Sequence, residues 1–132
     1  VKVLILGCGR VGSTLATMLD RSGHSVSVLD QSSDAFQRLS PDFGGETYVG
    51  NGVDEDILIR AGIKDADAFV AVTNGDNRNI MASQIAKEIF HVNKVMCRIY
   101  DPIREQTYRE LGMVTMCPTT IGAQIFYDGL LK

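Results

Sequence analysis

The sequence predicts an α/β fold, a doubly wound parallel sheet of six strands with helices on both faces. Three observations carry this. Short runs of β-branched and aliphatic residues alternate with helix-type stretches along the whole chain. The strands are separated by helical segments, and strands joined by helical crossovers pair in parallel with right-handed connections. A glycine-rich turn, Gly7-Cys8-Gly9-Arg10-Val11-Gly12, follows the first strand and opens the first helix. That placement belongs to the Rossmann-type unit, whose full sheet runs in the order 3-2-1-4-5-6.

Each element has its own signal. Lys2–Leu6 reads as the first strand, and Arg10–Arg21 as a helix with Val11, Leu15 and Leu19 on one face. Ser22-Gly23-His24 turns into a second strand, Ser25–Leu29. Ser33–Leu39 reads as a short helix capped by Ser32 or Ser33. Glu46–Val49 is a third strand after the loop Asp42–Gly45. Asp54–Ala61 is a helix closed by Gly62. Ala68–Val72 is apolar enough to expect burial on both faces. Asp76–Phe90 is the longest helix, with Met81, Ile85 and Ile89 at spacing four. Lys94–Ile99 is the fifth strand, and Asp101-Pro102 caps a helix that runs to Leu111-Gly112. Val114–Cys117 is the sixth strand, and Pro118 opens a last helix through Leu131.

Composition narrows the function classes. The 132 residues suit one core, and the reading is a single domain over 1–132 without repeat or linker. Net charge is −3, with acids and bases interleaved, so there is no basic stripe for nucleic acid. The longest apolar run, Ala66 to Thr73, is broken by Asp67 and falls short of a bilayer span. Cys8, Cys97 and Cys117 are odd in number and lack metal or redox spacing, so they read as core fillers in a reducing, cytoplasmic compartment.

The chemistry lies in the glycine loop. Gly7 permits the tight turn, Gly9 leaves room for phosphates against the backbone, and Gly12 lets the helix pack on the sheet. The free N–H groups at the helix start then face the phosphates, with the helix dipole adding to the attraction. Asp30 ends the second strand, 18 residues beyond Gly12, where a carboxylate accepts from both ribose hydroxyls. No cation follows among Gln31, Ser32 and Ser33, which disfavours NADP. Arg10 sits in the phosphate loop and offers a forked set of donors to a di- or triphosphate. Thr73 and Asn74 end strand four at the switch point of the sheet, and either ligand contact or helix capping suits them. Arg98 ends strand five, where a phosphate, a subunit interface or an ion pair with Asp76 or Asp101 would occupy it.

Taken together, these residues resemble the N-terminal half of the regulator-of-potassium-conductance domain, the TrkA-N domain. The likeness runs through Gly7-x-Gly9-Arg10-Val11-Gly12, Gly23-His24-x-Val26-x-Val28-x-Asp30, and Gly50-Asn51-Gly52 with Asp54, Leu58 and Ala61-Gly62-Ile63. It continues through Asp65–Ala68, Ala71-Val72-Thr73, Asn79 with Ala82 and Ala86, and Arg98, Asp101-Pro102, Leu111-Gly112 and Pro118. The resemblance implies a cytoplasmic regulatory module, peripheral to the inner face of the membrane. Such a module binds NAD(H), ATP or ADP and gates a membrane-embedded potassium channel or transporter subunit as a homodimer or ring. It implies that Asn51 and Gly52 lie beside the adenine. The family usually has an acid at 51; Asn keeps an acceptor for the adenine amino group and adds a donor. It also places Glu110 near phosphates across a dimer. Family members often carry a second, smaller lobe, which the single-domain reading over 1–132 does not include.

A small NAD-dependent oxidoreductase would use the same loop. It would also need a proton donor, and no tyrosine here has lysine four residues on. An assembly module with a structural nucleotide is the third class. In the last helix, Ile121, Ile125 and Phe126 share one side while Ala123, Tyr127 and Leu130 spread beyond it. A single sheet contact cannot cover that width, so the helix predicts a contact between subunits.

Overall fold

Six parallel strands form one sheet in the order β3-β2-β1-β4-β5-β6. The computed structural model describes residues 1–132. The strands are β1 (Lys2–Leu6), β2 (Ser25–Asp30), β3 (Glu46–Val49), β4 (Ala68–Ala71), β5 (Lys94–Arg98) and β6 (Val114–Met116). The helices are α1 (Arg10–Arg21), α2 (Glu55–Arg60), α3 (Asp76–Gln84), α4 (Pro102–Glu110) and α5 (Pro118–Leu130). The expected order of strands is the observed one. All strand C-termini therefore lie along one edge, with the sheet's direction of progression reversing between β1 and β4.

Strand alternation divides the core. Val3, Ile5, Val26 and Val28 point to one face and meet Ala16 of α1. Leu4, Leu6, Leu29, Phe69 and Ala71 point to the other and meet Leu58 of α2 and Ala82 of α3. Asp54 and Asp101 cap α2 and α4 by accepting the N–H groups of Asp56 and Ile103. Cys8, Cys97 and Cys117 are all buried thiols, as core filling requires.

Several local expectations change. Ser33–Arg38 is a 3-10 helix, and Ser32 at its N-cap makes no side-chain cap bond. A further 3-10 turn, Ile63–Asp65, follows the left-handed Gly62. The long segment after β4 is α-helical only to Gln84 and becomes a π-helix over Ile85–Ile89. The wide turn keeps Ala86 and Val92 buried while the chain reverses through His91 at φ 53°. Its buried face is Asn79, Ile80, Ala82, Ser83 and Ala86; Met81 and Ile89 of the expected stripe are exposed. Val11 is likewise exposed, because Gly12, Ser13 and Ala16 make the close contact of α1.

One part of the sheet has no cover. Ile5, Val70, Met96 and Val114 form one cross-strand row. Exposure rises along it from 0% at Ile5 to 57% at Val114, so β4 is only half-buried on this face. α5 buries none of its residues, and Phe126 and Leu130 are 73% and 81% exposed.

Candidate functional site

The site begins where β1 ends. Gly7 turns at φ +108°, its N–H donating to the Leu29 carbonyl at 2.8 Å. A Cβ there would stand 2.9 Å from backbone atoms of Val72 and Thr73, and one at Gly12 would stand 1.8 Å from the Gly7 oxygen. The loop is thus pressed onto the exit of β4. Gly9 differs. It has an ordinary φ of −79°, and a Cβ on it would meet nothing within 4 Å. No contact in the chain requires glycine at 9. The N–H groups of Gly9, Arg10, Val11 and Gly12 find no acceptor in the chain, and α1 has neither a side-chain cap nor an acid in its first turn. The positive end of the helix dipole is left open beside a methyl-free surface, which is the form of a phosphate cradle.

Asp30 braces this loop. Its Oδ2 accepts the Cys8 N–H at 2.7 Å and its Oδ1 accepts the Ser32 N–H at 2.9 Å. A carboxylate has about four lone-pair sites, so roughly two remain free for further donors. Burial first, then the Asp30 charge, pushes the Cys8 thiol up to about 11, with Arg38 pulling it back in part. Cys8 is therefore a neutral thiol in the loop.

A crevice of about 1170 Å³ opens above the strand ends. Gly7, Cys8, Gly9, Arg10, Val11, Asp30, Thr73, Asn74 and Arg98 all line it. So do Arg38 and Arg78, which sequence reasoning missed. Four guanidinium groups thus share a wall with only Asp30 and Asp34, in a chain whose net charge is −3. Arg38 lies eight positions after Asp30 in sequence. The 3-10 helix carries it back to 3.5 Å from the Cys8 carbonyl, so a cation does reach the Asp30 end of the crevice.

At the exit of β4 the polar groups interlock. Asn79, fully buried, accepts from the Thr73 N–H and hydroxyl and donates to the carbonyls of Thr73 and Arg98. Arg98 is 8% exposed. Its Nη2 donates to the carbonyls of Val72 and Thr73 at 2.7 and 2.9 Å. Neither Asp76 nor Asp101 pairs with it, in contrast to the ion pair considered from sequence. Asp76 instead accepts the N–H groups of Tyr100 and Asp101 and faces Arg104. Thr73 serves as a local brace as well as a wall, because its hydroxyl also accepts the Gly75 N–H.

Asn51 and Gly52 are not among the residues lining the crevice. They follow β3 at the same sheet edge, where Gly50 N–H donates to the Asp30 carbonyl. The Asn51 amide oxygen is occupied by the Val53 N–H, and Gly52 is seated on Leu6. Glu110 is exposed and bonded to Gln106, away from the crevice.

Comparison with known proteins bears on the fold and the family. Residues 3–117 match the TrkA-N domain family. The Trk system potassium uptake protein TrkA of Streptomyces coelicolor is 49% identical over 114 residues, covering 86% of this chain and 51% of that protein. The chain thus spans about half the length of the curated relative. Among solved structures, the TrkA-N domain of the inner membrane protein ybaL from Escherichia coli superposes with a TM-score of 0.83 at 22% identity, covering 99% of this chain and 96% of that one. The GsuK channel bound to NAD superposes with a TM-score of 0.80 at 22% identity, over 96% of this chain and 22% of that one. At those identities the likeness speaks for the fold, whereas the family match rests on the sequence itself. This chain belongs to the TrkA-N domain family.

Proposed function

We propose that this chain is the nucleotide-sensing regulatory domain of a potassium channel or potassium-uptake system. It binds NAD(H) or ATP/ADP and acts by rearrangement between subunits. The observation that carries the reading is Gly9: a glycine that the fold does not need, beside free N–H groups, where a phosphate would approach. Asp30 then holds the ribose, Arg10 the phosphates, and Asn51 stands at the strand edge toward the adenine. The chain's residues bind and orient the nucleotide. Relatives are named as potassium-uptake proteins, and one solved neighbour is a channel bound to NAD, which supports both the ligand class and a membrane-embedded transport partner.

The same reading makes the chain at least a dimer. The bare row Val70-Met96-Val114 and the exposed apolar residues of α5 are two unpartnered surfaces in one chain. A sheet face and an amphipathic helix both need cover, and a second copy supplies each to the other in one symmetric contact. Location at the cytoplasmic face of the membrane, through the transport partner, follows from that role.

The test is titration calorimetry with AMP, ADP, ATP, NAD and NADH, with mass spectrometry of any nucleotide carried through purification. Binding of at least one adenine nucleotide is expected. No heat with any of them, from folded protein with no carried nucleotide, would defeat the reading.

A further inference from the structure

Arg98 is a buried cation without an acid. No carboxylate lies within 4.0 Å of it, its Nε has no hydrogen-bond partner, and only two carbonyls hold its Nη2. Buried guanidinium groups usually pair with an anion, because two neutral acceptors do not balance the charge. The remaining contact is aromatic: the Tyr100 ring lies with its centroid 4.7 Å from the guanidinium carbon.

Tyr100 is also a mechanical joint. Its N–H donates to Asp76 at the start of α3 at 2.8 Å. Its carbonyl accepts from the Thr119 hydroxyl at 3.0 Å and from the Cys117 thiol at 3.5 Å, both at the start of α5. Met116 and Pro118, on either side of Cys117, line the crevice with Arg98 and Tyr100. α5 buries no residue along its length. Its direction is therefore set at its first turn, and an element held by one end tilts at low cost.

We propose that Tyr100 couples negative charge in the crevice to the orientation of α5. The proposal rests on the nucleotide reading above and names how that site is regulated. An anionic phosphate tail attracts the uncompensated Arg98 and competes with the ring for it. The ring shifts, and the backbone that carries it is the one that tethers α5. The nucleotide's charge then selects between two settings of the helix that carries the proposed subunit contact. By linkage, a contact that fixes α5 in one setting strengthens binding of the nucleotide that prefers it.

The experiment is hydrogen exchange of the α5 amides, residues 118–130, in the full chain with and without saturating ATP or AMP. Titration calorimetry comes first. A wild-type chain that binds neither nucleotide removes the nucleotide reading itself, and this is seen before exchange is measured. In wild-type chain that binds, ATP is expected to change α5 exchange by about threefold or more, a coupling at the low end of the usual range, and AMP by less. Thr119→Val removes the shorter of the two tether bonds, outside the crevice, and leaves the longer Cys117 thiol bond; it should bind ATP normally and lose most of the α5 response. Tyr100→Phe keeps the ring and should keep the response, while Tyr100→Leu should lose it. ATP binding with unchanged α5 exchange in the wild type overturns the proposal, as does a full response in Thr119→Val. Should Tyr100→Leu not fold, the contrast between Tyr100→Phe and Thr119→Val decides alone.

Discussion

Replacing Gly9 by Ala separates the fold from the ligand. At Gly9 the backbone is extended at φ −79°, and an added Cβ meets no heavy atom within 4 Å. The methyl reduces unfolded-chain entropy, a stabilisation of about 0.4–1 kcal/mol. Alanine is a poorer helix N-cap than glycine, which removes several tenths of a kcal/mol or more. The two nearly cancel, so urea denaturation should give a stability within about 1 kcal/mol of wild type. Binding should respond quite differently. A phosphate oxygen accepting from the loop N–H groups sits at about 2.9 Å from nitrogen, in the space the methyl takes. Loss of one charge-assisted hydrogen bond, about 1.5–3 kcal/mol, lowers affinity by roughly tenfold to a hundredfold. Gly12→Ala is the control for a structural glycine. Its Cβ would lie 1.8 Å from the Gly7 oxygen, so the loop must leave β4 and the fold itself should weaken. The assay is calorimetric titration with ATP beside urea melts of both variants. Wild-type affinity in Gly9→Ala would show that no phosphate approaches this backbone, and loss of folding there would show that glycine serves the turn after all.

Four further outcomes follow from the same geometry. Asp30→Ala removes both the brace on Cys8 N–H and the ribose acceptor, so affinity for adenosine nucleotides should fall by roughly tenfold to a hundredfold; unchanged calorimetric affinity would remove the ribose assignment. Arg10→Ala should weaken ATP or NAD binding more than adenosine binding, and equal losses for all three would place its role in the fold. Because the Cys8 thiol is raised from 9.0 to about 11, the unfolded chain loses its proton first. Stability should therefore fall as pH rises from about 9 toward about 11, and Cys8→Ala should flatten that slope in urea melts; a slope unaltered by the substitution would refute the cause. Light scattering should give a dimer or larger species for wild type and a smaller one for Phe126→Asp. A wild-type monomer at tens of micromolar, a concentration at which weak dimers with about micromolar Kd still form, would refute the subunit contact.

The sequence by itself determined the parts that depend on local chemistry. Alternating apolar runs with helical crossovers leave essentially one sheet order, so the topology was legible from spacing alone. The glycine turn and Asp30 were legible because a phosphate cradle needs particular residues at particular intervals along one βαβ unit. The capping roles of Asp54 and Asp101 are equally local. Tertiary structure decided whatever depends on which distant residues meet. Arg38 and Arg78 enter the crevice only because a 3-10 helix and the start of α3 point them there, which no periodicity encodes. Arg98 was visible as a cation at a strand end, but its partners are carbonyls just past the end of β4, and Asp76 was drawn instead to Tyr100 and Asp101. The stripe Met81, Ile85, Ile89 has helical spacing, yet close approach to the sheet selected the small residues Ala82, Ser83 and Ala86, the last of them within a π-turn. The exposed width of α5 could be read from its sequence; the bare row of Val70, Met96 and Val114 could not. Which face of a strand lacks a helix is a property of how the whole chain winds around the sheet, and no single segment carries it.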